Sequence, residues 1–193
     1  MAAEHKQLRR IVTGHDEQGR SRVIYDSGAP NVYRRPGNLN TQFNELWTLE
    51  SVPAPLSDGR DYGAADRKYS HSPPIGGAHF RIVQSLPEGD SFPTKEEEQK
   101  SFDEMNTSGV SELKVDGPAR HFHRTPSVDY AFNLGCDRYL VLDDSETVMH
   151  RGDVVIQLAN YHAWVNKSDE MGCMAFDMIG SDYPHHDETA ENK

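Results

Sequence analysis

Short stretches in which apolar and polar residues alternate recur along the chain and predict β-strands. The first two, at residues 10–13 and 22–25, flank a polar turn and predict a hairpin. Two longer stretches, at residues 43–49 and 79–86, predict further strands. Because the alternation has a period of two, each strand should bury one face and turn the other toward solvent.

From Gly117 onward the predicted strands become short and closely spaced, with turn residues between them. They lie at residues 121–123, 128–134, 139–142, 147–149, 154–157, 163–165 and 173–179. Regular short strands of this kind predict an all-β sandwich or barrel.

Two segments break the strand pattern. Residues 94–105 predict one helix, because Thr94 can cap its N-terminus and acidic residues fill its first turn. Residues 52–76 combine Pro, Gly, Ser and charged residues without a period, which predicts a long loop. Loops of this length within a compact domain are usually functional or mobile.

Composition and charge exclude several classes of protein. A length of 193 residues with 35% hydrophobic residues suits one domain with one core. The formal net charge of -11 argues against nucleic acid and anionic membrane surfaces as partners, since both recruit Lys and Arg. No apolar run reaches the ~20 residues that cross a bilayer, and the N-terminus lacks a secretory signal. We therefore expect a cytoplasmic protein, in which Cys136 and Cys173 are buried thiols or, alternatively, form one disulfide.

Histidines from two separate segments are the candidate metal ligands. His121 and His123 lie two residues apart on a predicted strand, so both side chains should leave the same face. Asp129 follows at the start of the next strand, and His162 comes after a later strand and turn. If these strands face one another in a barrel, the four side chains converge on one ion. The competing interpretation is a set of histidines whose hydrogen bonds are satisfied on a barrel face.

Two longer motifs contain these residues. The first, at residues 117–136, reads GPARHFHRTPSVDYAFNLGC, and the second, at residues 151–166, reads RGDVVIQLANYHAWVN. Together they resemble the two motifs of the cupin superfamily, which combine HxH and a carboxylate with a later histidine. The chain departs from that pattern at three points. Asp129 stands in place of Glu, it lies one residue farther than usual from His123, and Cys136 stands in place of the closing Gly.

The resemblance implies a fold, a cofactor and an assembly. The fold would be the double-stranded β-helix, or jelly-roll, barrel of a small single-domain cupin. It would carry extra N-terminal strands within residues 8–90, one short helix, barrel motifs at 115–180 and a tail at 181–193. The four candidate ligands would hold one divalent ion, which Fe, Mn, Zn, Ni and Co would all suit. A homodimer is also implied, with the N-terminal strands covering a barrel edge.

Side chains that would face into the barrel are candidates for catalysis and substrate binding. We assign proton transfer to Asp129 or His79. The candidate substrate-binding residues are Arg81, Phe132, Tyr139, Gln157, Trp164, Phe176 and Met178. For the apolar members the competing interpretation is plain core packing, and for the polar members it is exposure at a sheet edge.

The motifs resemble the small cupins of secondary-metabolite and aromatic pathways. This implies a metal-dependent lyase or isomerase that uses the ion as a Lewis acid. The reaction would dehydrate, isomerise or decarboxylate an oxygenated polyketide-like or keto-acid small molecule. Two alternatives stay open, an Fe(II) cupin dioxygenase and a cupin that binds a small ligand without catalysis.

Overall fold

The computed structural model describes residues 4–35, 40–55, 59–87 and 93–183. One helix, α1, spans Lys95–Met105 within these ranges. The strands are β1 Arg9–His15, β2 Ser21–Gly28, β3 Asn31–Arg34, β4 Thr41–Leu49, β5 Ala78–Ser85, β6 Glu112–Leu113, β7 His123–Arg124, β8 Ser127–Asn133, β9 Arg138–Val141, β10 Glu146–Met149, β11 Val154–Leu158, β12 Ala163–Val165 and β13 Gly172–Gly180. Most of the predicted tail, residues 184–193, lies outside the described residues.

Two antiparallel sheets form the body of the fold. The larger has six strands in the order β11-β8-β13-β5-β4-β3, and the smaller has the order β10-β9-β12. Strand β13 pairs with β8 on one side and with β5 on the other, so segments distant in sequence interleave. This interleaving is typical of a jelly roll, and it confirms the predicted all-β class with one short helix.

The core follows from the period-two alternation of the strands. In β13, Met174, Phe176 and Met178 are buried against Met149 and Trp164 from the smaller sheet. In β8, Asp129 and Ala131 face inward while Tyr130 and Phe132 are exposed on the outer face. Inward side chains of the larger sheet therefore meet those of the smaller sheet across the barrel interior.

Most predicted elements are confirmed, and α1 has the predicted cap. The Thr94 hydroxyl accepts a hydrogen bond from the backbone N–H of Glu97, and the Glu97 carboxylate accepts one from the N–H of Thr94. The structure adds β3, which among the described strands pairs only with β4 at the sheet edge, and the two-residue strand β6. The predicted strand at 121–123 is wrong, because His121 lies in a turn with φ of 50° and β7 begins at His123.

The N-terminal strands form a separate hairpin. Within the described ranges, β1 and β2 pair only with each other, so they do not extend either sheet by strand pairing. Arg10 fastens the hairpin to the barrel through Nη1 and Nη2, which donate to the Asp61 carboxylate at 2.7 and 2.6 Å. The homodimer in which this hairpin covers a barrel edge stays a prediction.

The Arg10–Asp61 pair should make stability depend on pH in the acid range. The hydrogen bond from Arg10 holds the pKa of Asp61 below its ordinary value. A depressed folded-state pKa means that the stabilisation is present above about pH 4 and is lost as pH falls through the folded-state pKa. We expect Asp61→Asn to lower the free energy of unfolding at pH 7 by about 1 kcal/mol, with a smaller difference near pH 3. Urea unfolding across this range measures it.

Asp26→Asn is the matched control for that substitution. Asp26 pairs with Arg9 on the exposed side of the same hairpin, where water screens both charges. It should show no measurable change in stability. If both substitutions change the free energy of unfolding equally at every pH, the Arg10–Asp61 pair is not what holds the hairpin to the barrel.

No helix in the ranges given above is long and apolar enough to span a membrane. The cytoplasmic location stays a prediction.

Candidate functional site

A cavity of about 360 Å³ lies between the two sheets. Its apolar wall comes from both sheets and consists mainly of Phe43, Val83, Trp164, Met174, Phe176 and Met178. Its polar lining includes the four histidines His71, His121, His123 and His162, the carboxylate of Asp129, and the arginines Arg35, Arg81, Arg120 and Arg138. The cavity therefore combines an apolar body with a concentrated set of imidazoles, which is typical of a small-molecule site.

His123 and His162 form the best-defined part of the site. Each backbone N–H donates to the other residue's carbonyl, at 3.0 and 2.9 Å, and the ring centroids lie 4.7 Å apart. The Nδ1 of His123 lies 2.6 Å from the carbonyl of His121, and the Nδ1 of His162 lies 3.0 Å from that of Asn160. Because a carbonyl only accepts, each Nδ1 carries the proton and each Nε2 keeps a lone pair for a ligand.

The electrostatic environment keeps both rings neutral. Burial lowers the pKa of His123 to about 3, with the neighbouring His162 adding to the shift. Burial likewise lowers the pKa of His162 to about 4. Neutral imidazole is the form that binds a metal ion, so both rings are in the right state at physiological pH.

His121 lies at the cavity but differs from the other two. It sits in the turn before β7, and its backbone N–H donates to the Glu98 carboxylate of α1. Its ring Nδ1 is 3.6 Å from that carboxylate, beyond a hydrogen bond, and burial lowers its pKa to about 2. The expectation that His121 and His123 leave one face of a strand is wrong, because the positive φ at His121 breaks the strand there.

Asp129 also lies at the cavity, as predicted. It is buried on the inner face of β8, in register with Gln157 of β11 and Met178 of β13. Its Oδ1 is buried without a hydrogen bond to any described residue, and burial raises the pKa of the Asp129 carboxyl to about 6. A buried carboxylate oxygen without a partner suits either ligation of a cation or proton transfer.

The donor set fits a divalent ion by its chemistry. Within residues 4–35, 40–55, 59–87 and 93–183, no group of three His, Cys, Asp or Glu side chains already stands at metal-ligand spacing. The two Nε2 atoms of His123 and His162 are nevertheless available, their Nδ1 atoms are held by carbonyls, and Asp129 adds an unpaired oxygen. Tying Nδ1 to an oxygen is how proteins orient metal-binding histidines. His123 and His162 would hold such an ion, together with one further histidine, and Asp129 lies beside them as a fourth ligand or as the proton-transfer group.

His71 is the site residue that sequence reasoning missed. It lies in the loop between β4 and β5, and its ring centroid is 4.9 Å from that of His123. Its side chain is buried, its Nδ1 is 3.4 Å from the Tyr69 hydroxyl, and its Nε2 is buried with no hydrogen bond to the part of the chain that the structure describes. Burial lowers its pKa well below the ordinary value, and His123 adds to the shift. The predicted functional character of the 52–76 loop was the only sequence signal for it.

Arg81 lines the cavity, but its guanidinium group binds backbone carbonyls and a carboxylate of the protein. Nη1 donates to the carbonyl of His71 at 3.0 Å and Nη2 donates to that of Ser70 at 2.8 Å. The Glu45 carboxylate lies 3.0 Å from its Nε and accepts a hydrogen bond from its Nη2 at 3.2 Å. Arg81 therefore holds the 70–71 backbone, rather than serving only as the predicted substrate anchor.

His79 lies outside the cavity, so it is not positioned for its predicted catalytic role. It lies on the far side of Arg81, outside the cavity lining, and its Nδ1 accepts from Arg81 Nη2 at 2.7 Å. Burial lowers its pKa to about 2, and Arg81 adds to the shift. The structure does not bring His79 to Asp129, so proton transfer by His79 is not supported.

The other predicted substrate-binding residues divide into two groups. Trp164, Phe176 and Met178 line the cavity as expected. Phe132 does not, because it is 41% exposed on the outer face of β8. Tyr139 and Gln157 also lie outside the lining. The Lys167 Nζ lies 4.3 Å from the centroid of the Tyr139 ring, and Gln157 Nε2 donates a hydrogen bond to Asn160 Oδ1.

Comparison with known proteins places this barrel in a fold class. No family model matches the chain. Phomopsin biosynthesis cluster protein D of Diaporthe leptostromiformis is 26% identical over 166 residues, covering 82% of this chain and 70% of that protein. Oryzines biosynthesis cluster protein J of Aspergillus oryzae is 27% identical over 166 residues, covering 84% and 76%. The cupin-domain-containing oxidoreductase fogC of Aspergillus ruber is 24% identical over 158 residues, covering 81% and 63%.

The chain has the cupin fold. Solved cupin structures align with it at low similarity. A cupin-2 domain protein from Rhodospirillum rubrum is 9% identical, covers 95% of this chain and 78% of its own, and has a TM-score of 0.42. The relatives named above confirm the predicted likeness to secondary-metabolite cupins, and the predicted cupin fold is confirmed with it, while the reaction has to be argued from the site.

Proposed function

We propose that this cupin is a metal-dependent enzyme that acts on an oxygenated small molecule in secondary metabolism. One observation carries the proposal. His123 and His162, whose rings are fixed through Nδ1, line an apolar cavity, and their Nε2 atoms make no hydrogen bond to any residue that the structure describes. The names of the relatives, two from biosynthesis clusters and one cupin oxidoreductase, support the metabolic setting.

A lyase or isomerase reaction would use the bound ion, the Asp129 carboxylate and the apolar wall of the cavity. A divalent ion bound there would supply Lewis-acid polarisation of a substrate carbonyl. Asp129 is the group placed to move a proton next to that carbonyl, because its unpaired Oδ1 lies in the same cavity. Trp164, Phe176 and Met178 exclude water from the reacting atoms and pack against the substrate's apolar body.

The charges at the cavity favour an acidic substrate. Arg35, Arg120 and Arg138 contribute to the described lining besides Arg81, whose charge Glu45 balances, and Asp129 is the carboxylate in that lining, although the whole chain carries a net charge of -11. Arg35 and Arg120 are close enough to lower the pKa of His121. Guanidinium groups stabilise carboxylates by charge and by paired hydrogen bonds. Among the proposed substrates, keto acids therefore fit the cavity better than neutral ketones.

The test is turnover by protein whose metal content has been measured. Purified protein is loaded in turn with Mn, Zn, Ni, Co and Fe and is offered β-keto acids and β-hydroxy ketones under nitrogen. We expect product without consumption of oxygen, and weaker binding of methyl esters than of the free acids. Absence of turnover with all five ions would contradict lyase or isomerase chemistry.

An iron-dependent oxidoreductase is the second candidate function. The specific observation in its favour is the name of the Aspergillus ruber relative, a cupin-domain-containing oxidoreductase. The same assays in air distinguish it, because activity would then be confined to Fe(II) and would consume oxygen in proportion to product.

A further inference from the structure

We infer that the third histidine of the metal centre is His71, and that His121 instead positions His123 through its backbone. This rests on the proposed metal site but changes its composition. It assigns a ligand to a loop outside both sequence motifs. Three observations on the described residues carry the inference.

The first observation is the Nδ1 contact that three of the four rings share. In His123 and His162 the Nδ1 donates to a carbonyl, and in His71 it faces the Tyr69 hydroxyl at 3.4 Å. A carbonyl at Nδ1 leaves Nε2 as the ligating atom of His123 and His162, and the Tyr69 hydroxyl does the same for His71 when it accepts the Nδ1 proton. Among the described residues His71 Nε2 has no hydrogen-bond partner, so this buried polar atom is destabilising unless a ligand binds it.

The second observation is the spacing of the rings. Two imidazoles bound to one ion at about 2.1 Å have ring centroids roughly 4.6 to 5.3 Å apart, for angles between octahedral and tetrahedral. The His71–His123 and His123–His162 centroid distances are 4.9 and 4.7 Å. Both values fall within that range. Small rotations about the soft χ2 torsions would bring the nitrogens to ligand spacing without moving the rings apart.

The third observation is what His121 does in this structure. Its carbonyl accepts the Nδ1 proton of His123, and its N–H donates to Glu98. Both interactions use backbone atoms and depend on the turn with φ of 50°. Its ring makes no hydrogen bond to any residue in the described ranges. The side chain of His121 is therefore dispensable for orienting His123, whereas its backbone is required.

The loop that carries His71 is held rigidly enough for a ligand. Arg81 binds the carbonyls of Ser70 and His71, and the backbone N–H of His71 donates to Met105 at the end of α1. The His71 ring also packs edge-on against Phe102 at 5.6 Å. These contacts fix the ring before any ion arrives, which reduces the ordering that binding requires.

His71→Asn and His121→Asn are the matched pair of variants that test the assignment. Asn replaces Nδ1 with an amide atom at a similar position and removes Nε2, and Asn tolerates the positive φ at position 121. Metal affinity is measured by titrating apo protein with Zn²⁺ in a calorimeter. Pulsed EPR of the Cu²⁺-loaded protein counts the bound imidazoles.

We expect His71→Asn to weaken Zn²⁺ binding by at least about 100-fold, since loss of a ligand should exceed the 10 to 100-fold effect of a supporting group. The imidazole count should fall from three to two. His121→Asn should change the affinity by less than about 10-fold and keep three imidazoles. Melting of both apo variants shows whether the barrel still folds.

The outcomes separate this inference from the proposed function. Weak binding by His121→Asn with normal binding by His71→Asn would overturn the inference and leave the metal enzyme standing. Equal loss in both variants, or loss in neither, would overturn it as well. Wild-type protein that binds no Zn²⁺, Mn²⁺ or Fe²⁺ would overturn the proposed function together with the inference.

Discussion

His162→Asn is expected to abolish tight metal binding and to reduce turnover below about 1% of the wild-type value, because the change removes one of the two best-fixed ligands. The substituted amide keeps the hydrogen bond that Nδ1 makes to the carbonyl of Asn160. The reciprocal backbone bonds with His123 do not involve the side chain. The variant should therefore fold normally and lose only the Nε2 donor.

Melting temperature with and without metal measures this effect directly. An ion that binds only the folded state adds about 4 kcal/mol of stability at a thousandfold excess over its Kd, so wild-type protein should melt several degrees higher with metal. The His162→Asn protein should show no such rise. His150→Asn is the matched control, because His150 is an exposed surface histidine paired with Asp137. A metal-dependent rise in His162→Asn equal to that of wild type would contradict a role for His162 as ligand.

The sequence predicted the strands of the barrel because their alternation is strong. It also placed His123, Asp129 and His162 at one cavity, since motif order and strand pairing in a jelly roll bring those positions together. The edge strand β3 was missed because it follows Pro30 and has a single partner strand. Short edge strands carry a weak pattern, since only one neighbour constrains them.

Two predictions, for Phe132 and His121, were wrong for local reasons. Phe132 lies on the other face of its strand, and the backbone at His121 forms a turn. Asp129 and Phe132 are three residues apart on β8, so a period of two puts them on opposite faces, and the inward carboxylate predicts an outward Phe132. That argument was available from the sequence. The turn at His121 was not, because alternation in His121 to His123 is the same in a strand and in a turn that leads into one.

His71 could not be found from the chain alone for a different reason. It lies in a loop without periodicity, and only tertiary contacts with Arg81, Phe102 and His123 bring it to the cavity. Loop residues gain their positions from such contacts rather than from local propensity. His79 was misassigned for another reason, because it faces the same side of β5 as Arg81 but its place along that strand puts it outside the cavity.

Substitution of one member of the Arg81–Glu45 pair should produce the largest loss of stability among the residues behind the cavity. Both side chains are almost fully buried, at 2% and 6% exposure, and they stand against the loop that carries His71. Burial raises the pKa of Glu45, and the charge of Arg81 opposes that shift. Removing one partner leaves a buried group of the other charge without compensation, which typically destabilises by about 3–5 kcal/mol.

We expect Arg81→Met and Glu45→Leu each to lower the free energy of unfolding by about 3 kcal/mol or more, and the double substitution to recover part of the loss, because a matched apolar pair removes both charges together. Urea unfolding of the three variants measures the coupling.

The double variant should still bind metal more weakly than wild type, since the carbonyls of Ser70 and His71 lose the donors that hold the loop. Full recovery of stability together with wild-type metal affinity would show that the His71 loop is held without Arg81. Additive losses in the double variant would show that Arg81 and Glu45 act independently.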